Sequence, residues 1–175
     1  MMDGFSFSFE WSYVPMVLAA LVLLAAGIKD VRSYKISNWL SIALALLFPV
    51  YALIAHVPFW PHLMVGLIAF AVGFGLYALG GCGGGDVKLM AAAALWAGPH
   101  FIVTLILATA LFGGALAMVY GVAQLMKRMK KTQSQSDGLA DKTVMPWHKA
   151  PVPYGVAIAC GGWMVLFLMA RGPLT

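Results

Sequence analysis

The sequence predicts an all-α integral membrane protein, a bundle of about six transmembrane helices. Three observations carry this expectation. The chain is 62% hydrophobic and only 10% charged, with mean hydropathy +0.90, whereas soluble domains carry about 25% charged residues. Long apolar runs recur along all 175 residues. Basic residues gather beside alternate ends of those runs, as membrane topology requires. No stretch is left for a separate globular domain, so one domain over 1–175 is expected.

A crossing needs about 20 apolar residues to span about 30 Å of hydrocarbon. Runs 13–29, 38–57, 62–80, 101–126 and 152–170 meet or approach that length. The first follows Asp3 and Glu10 and has no basic residue before it, so it lacks the pattern of a cleavable signal and is expected to be retained. The second opens on Ser37 and Asn38, where Asn38 suits a helix cap. The third carries Gly66, Gly73 and Gly75, small residues that let helices approach closely. A glycine-rich turn over residues 80–85 follows. A sixth span, 87–98, is short, because Val87 to Ala97 reaches only about 16 Å. Either this helix begins below the membrane surface and draws Asp86 inward, or the break falls later, near Gly113 and Gly114. The last span opens with Pro151, Pro153, Tyr154 and Gly155, at a position where a helix start tolerates proline.

Orientation follows from lysine and arginine. With both termini outside, Lys29, Arg32, Lys35, Lys88, Lys127, Arg128, Lys130, Lys131, Lys142 and Lys149 face the cytoplasm, and only Arg171 lies outside. Trp11, Trp39, Trp60, Trp96 and Trp147 then fall near predicted interfaces. Residues 127–150 form a basic cytoplasmic loop beside anionic lipid. The net charge of +5 therefore reports topology and contact with the bilayer, not nucleic acid. Cys82 and Cys160 are too few for a disulfide framework and read as small packing residues. His56, His62 and His100 fall on the far side. No HExxH or other ligand spacing is present, so neither metal nor cofactor is expected.

Two acids stand out at the ends of apolar runs, Asp30 and Asp86, both on the predicted cytoplasmic side. An ionisable group at a membrane-embedded helix end is costly to keep and marks a functional site. Two carboxylates sharing one proton can hydrolyse a peptide bond: the ionised one takes a proton from water and the protonated one polarises the scissile carbonyl. Asp86 opens its helix, where the dipole favours an anion, while Asp30 closes one, so Asp86 is the expected ionised partner. Gly83, Gly84 and Gly85 can adopt positive φ and admit a substrate backbone. Asn38, Pro153, Tyr154 and Gly155 are candidates for shaping the site.

The segment from Asp30 to Asn38, with a basic residue and then Ile-x-Asn after the aspartate, resembles the first aspartate motif of type IV prepilin peptidases. Gly83 to Leu89 is similar to their GxGD motif, and Pro153, Tyr154 and Gly155 resemble the Pro-Tyr-Gly of their last span. The resemblance implies an aspartic endopeptidase with Asp30 and Asp86 as the catalytic pair. It would remove the short basic leader of membrane-inserted prepilins at the cytoplasmic face of a bacterial inner membrane, with pilus-assembly machinery as a further partner. The paired CxxC motifs of the larger, methylating members are absent, so peptidase activity without methyltransfer is implied. The compact chain looks like the minimal peptidases of tight-adherence (Flp) pilus systems. The rival readings are a small transporter or proton relay, which would place carboxylates deep within spans, and a non-enzymatic pilus-assembly subunit, which would not need either aspartate.

Overall fold

The computed structural model describes residues 11, 13–33, 36–134 and 153–171. Among these the chain is helical, in the order α1 (Tyr13–Ser33), α2 (Asn38–Ile54), α3 (Phe59–Ala78), α4 (Gly84–Ser134) and α5 (Tyr154–Arg171), with no strand. Helices α1, α3, α4 and α5 are long and apolar enough to cross a membrane. Helix α2 is equally apolar but has 17 residues, about 26 Å at 1.5 Å per residue. The protein is an all-α membrane protein.

Helix α4 is two rods joined at Gly98, whose φ of 56° and ψ of −168° are open only to glycine. Pro99 follows and has no N–H, so the Leu95 carbonyl loses its helical partner four residues on. His62 Nδ1 donates to that carbonyl at 2.9 Å. A carbonyl can only accept, so this bond fixes the hydrogen on Nδ1. The break divides α4 into a short limb, 84–97, and a long limb, 99–134, giving six rods. The helix passes Gly113 and Gly114 unbroken, so the break at Gly98 is the correct one of the two that the sequence leaves open.

Other boundaries move for local reasons. Gly84 and Gly85 are helical instead of loop, so the short limb starts three residues before the expected 87 and reaches about 21 Å. Pro58, at φ −65° and ψ 112°, starts α3 at Phe59, not at 62. Helix α2 stops at Ile54, before the expected 57. The backbone of α4 remains helical to Ser134, so the beginning of the basic 127–150 stretch is helix. The rest of that stretch, with Trp147, lies outside the described residues.

Side-chain pairs set the direction of each rod. Tyr77 and Gly73 of α3 pack on Gly84 and Val87, and Gly66 packs on Ala91 and Leu95, so α3 runs antiparallel to the short limb. Asn38 meets Lys88 and Leu44 meets Trp96, so α2 runs parallel to it. Gly155 touches Asp30 and Gly162 touches Leu23, which makes α5 antiparallel to α1. Gly113 faces Tyr154 and Ala157 while Leu105 and Thr109 face Gly161, so the long limb returns antiparallel to α5. Asp30, Asp86, Asn38 and Gly155 therefore share one end of the bundle, and His62 and Trp96 lie at the other.

The short limb is the centre of the bundle. Leu89 and every residue from Ala92 to Gly98 are buried, as expected of a helix apolar on all sides. Trp96, expected at an interface, is 2% exposed: its Nε1–H donates to the Leu44 carbonyl at 2.8 Å, and its ring stacks on Tyr51. Phe48 completes the cluster, stacked on His62 with centroids 5.0 Å apart. Trp11, Trp39 and Trp60 are exposed. Only His62 and Gly66 of α3 are buried, so this helix forms the outer wall. Gly66 and Gly73 meet neighbours closely, but Gly75, expected to do the same, has nothing within 4 Å.

Candidate active site

Asp30 lies in the last turn of α1 and is 4% exposed. A buried carboxylate without partners would be costly. The partner comes from α5: the Gly155 N–H donates to Asp30 Oδ2 at 2.7 Å, and the Val156 amide also bonds the carboxylate. The first amides of a helix have no acceptor of their own, so this helix start is ready to receive an anion. Pro153, fully buried, precedes it, and Tyr154 turns outward. Gly155 allows the approach by lacking a side chain. A Cβ there would lie 2.8 Å from Asp30 Oδ2 and 2.6 Å from Ile36 Cδ1.

Asp86 is the third residue of α4 and half-buried. Its carboxylate reaches back to the Gly83 N–H, as an acid at this position does when it closes a helix start. Asp30 is the charged neighbour that acts on Asp86. Amides of a helix start thus serve both aspartates, and the dipole contrast that favours Asp86 in the sequence disappears, because α5 supplies to Asp30 what α1 does not.

Ile36, in the connection between α1 and α2, sits between the two halves of this arrangement. A Cβ on Gly85 would lie 3.1 Å from Ile36 Cβ, and one on Gly155 still closer to the same side chain. The residue before Asp86 and the residue bonded to Asp30 therefore both press on Ile36. Gly85 serves by having no side chain. Within residues 80–85, positive φ occurs at Gly80 (76°), outside the expected Gly83 to Gly85.

Asn38 does not cap α2 with its side chain. Ser37 is the cap residue and makes no side-chain cap bond, while Asn38 Oδ1 accepts from Lys88 Nζ at 3.0 Å. This bond ties the start of α2 to the start of α4 across the end that holds both aspartates. Sequence reasoning used Lys88 as a topology charge and as a charge near Asp86, not as a partner of Asn38, and gave Ile36 and Val156 no role. The Ile-x-Asn pattern after Asp30 is the one signal that could have singled out Ile36. Among the described residues, no three His, Cys, Asp or Glu side chains gather into a metal-binding group.

The family model described as the type IV leader peptidase family matches residues 16–118, more than half of the chain. The chain belongs to the type IV leader peptidase family. No curated protein and no solved structure matches it. In this leader peptidase the match takes in both aspartates, Asn38, Gly83 to Gly85 and Lys88. Helix α5, whose amides hold Asp30, lies beyond the matched residues, so its place in the site rests on geometry.

Proposed function

We propose that this leader peptidase is an aspartic endopeptidase in which Asp30 and Asp86 jointly activate water. The reading is carried by one observation: two carboxylates 56 positions apart in the chain come to the same end of the bundle, where Asp30 acts on Asp86 and is itself held by the amides of a third helix. Like charges this close cannot both ionise cheaply, so the pair holds one shared proton. The ionised carboxylate takes a proton from water, and the hydroxide oxygen bonds to the scissile carbonyl carbon. The other carboxylic acid donates its proton to the carbonyl oxygen. Collapse of the tetrahedral intermediate breaks the C–N bond: one of its two hydroxyls gives a proton to the ionised carboxylate while the departing amine takes the proton of the other, so the pair again holds one proton.

Gly155 and Gly83 position the two carboxylates through their amides, Gly85 and Ile36 set the separation of the helix ends, and Asn38 braces them through Lys88. Pro153 and Tyr154 start the helix that carries Gly155. The substrate is a prepilin of the tight-adherence type, cut between its basic leader and its apolar helix at the cytoplasmic face, with no methylation of the new N-terminus. Co-expression with such a prepilin, followed by mass spectrometry of the pilin N-terminus, tests this. The expected product lacks the leader and carries no methyl group. An intact precursor would reject the substrate class, and a methylated terminus would reject the peptidase-only activity.

A further inference from the structure

A groove opens on the opposite side of the short limb from Asp86. It lies between α2, α3 and that limb, has a volume of about 400 Å³, and is lined by Ile42, Ala45, Leu67, Phe70 and Leu95, among others. Two features set it apart from an ordinary apolar furrow. Lys88 stands in its lining at the end level with Asn38, and residues two apart on a helix point away from each other, so this ammonium belongs to the groove and not to Asp86. Ser41, 5% exposed, also lines the groove, and among the described residues its Oγ has no hydrogen-bond partner. An unpaired buried hydroxyl is costly in an apolar setting.

We propose that this groove binds an anionic phospholipid, with the phosphate at Lys88 and an acyl chain running toward Leu95. Lys88 gives one N–H to Asn38 and keeps two for a phosphate. Ser41 lies in the same wall, and its enclosed, unpaired Oγ would donate to an ester oxygen of the lipid on turning toward the groove. The groove runs from Lys88 to Leu95, about 10 Å along the short limb. Charge decides against a basic leader peptide, which Lys88 repels.

The test uses the full chain in phosphatidylcholine vesicles doped with a photoreactive-acyl phosphatidylglycerol or the matching phosphatidylcholine, with adducts mapped by mass spectrometry. Another groove, between α1 and α2 and lined by Leu18, Val22, Leu40 and Ala43 among other uncharged residues, is the internal reference. Phosphatidylglycerol is expected to label Ile42, Leu67 or Phe70 about fivefold more than phosphatidylcholine, the ratio for one basic residue near the surface. Lys88→Gln should abolish this excess, Lys88→Arg should keep it, and labelling of the reference groove should not change, which also reports that the variants fold. In the parent chain, added salt should reduce the excess. Equal labelling by the two lipids, or an excess that survives Lys88→Gln, would overturn the proposal. So would a groove labelled by neither lipid while the reference is labelled, because another polypeptide would then cover it.

Discussion

The backbone amide of Gly155 donates to Asp30 Oδ2 at 2.7 Å, across 125 positions of sequence. A residue with no side chain thus holds the buried acid of the first helix from the start of the last. The consequence for Gly155→Ala is direct. The new Cβ would lie 2.8 Å from Asp30 Oδ2 and 2.9 Å from Cγ, so the carboxylate must move. A displacement of about 1 Å at a reacting group costs about 100-fold in rate. Prepilin processing in membranes should fall by that order. Adding Ile36→Val, which relieves only the Ile36 Cδ1 contact, should not restore it.

Gly85→Ala is expected to act differently. Its Cβ would meet Ile36 Cβ at 3.1 Å and the Ile36 backbone oxygen at 3.5 Å, so Ile36 must give way by a few tenths of an ångström. Ile36→Gly in the same chain removes the Cβ that the new methyl meets. The double variant should regain several-fold of the processing lost in Gly85→Ala, measured as the ratio of mature pilin to precursor.

At the other end, Gly98→Ala combines a φ of 56° with a Cβ that would collide with the His62 ring. It should be among the most destabilising single changes in the bundle. His62→Phe keeps the stack on Phe48 but leaves the Leu95 carbonyl unpaired, which costs about 1–3 kcal/mol. Reversible unfolding in detergent would read both effects. His62→Phe with wild-type stability would mean that this bond does not brace the break.

Gly75→Ala is the opposite case. Nothing lies within 4 Å of the Cβ position, and the residue sits inside α3 at a helical φ. Alanine gains about 0.5–1 kcal/mol over glycine there. The same unfolding measurement should show a modest rise in stability with processing unchanged.

How much of this was legible in the sequence depends on which physical signal a residue leaves. Asp30 and Asp86 announce themselves because acids are scarce in this apolar chain, whereas the break at Gly98 is one of two left open, the other at Gly113 and Gly114. The Gly155 amide leaves no mark, because a backbone donor looks alike at every position and its acceptor is five rods away. The pairing of Lys88 with Asn38 is hidden by the same distance, and positive-inside counting gave Lys88 another explanation. Trp96 was misplaced because an indole near the end of an apolar run resembles an interfacial anchor; the reversal at Gly98 turns that run end inward against Leu44 and Tyr51. Gly84 and Gly85 read as loop because glycine is a poor helix former, yet the packing of Tyr77 and Ile36 against them holds the helix start in place.

The joint action of Asp30 and Asp86 is tested most directly by processing of a co-expressed prepilin in membranes, at matched protein levels, for Asp30→Asn, Asp86→Asn and the double variant. Residues that act as one unit lose activity together, so each single variant should be as inactive as the double. Either single variant cleaving at the parental rate would contradict the shared mechanism.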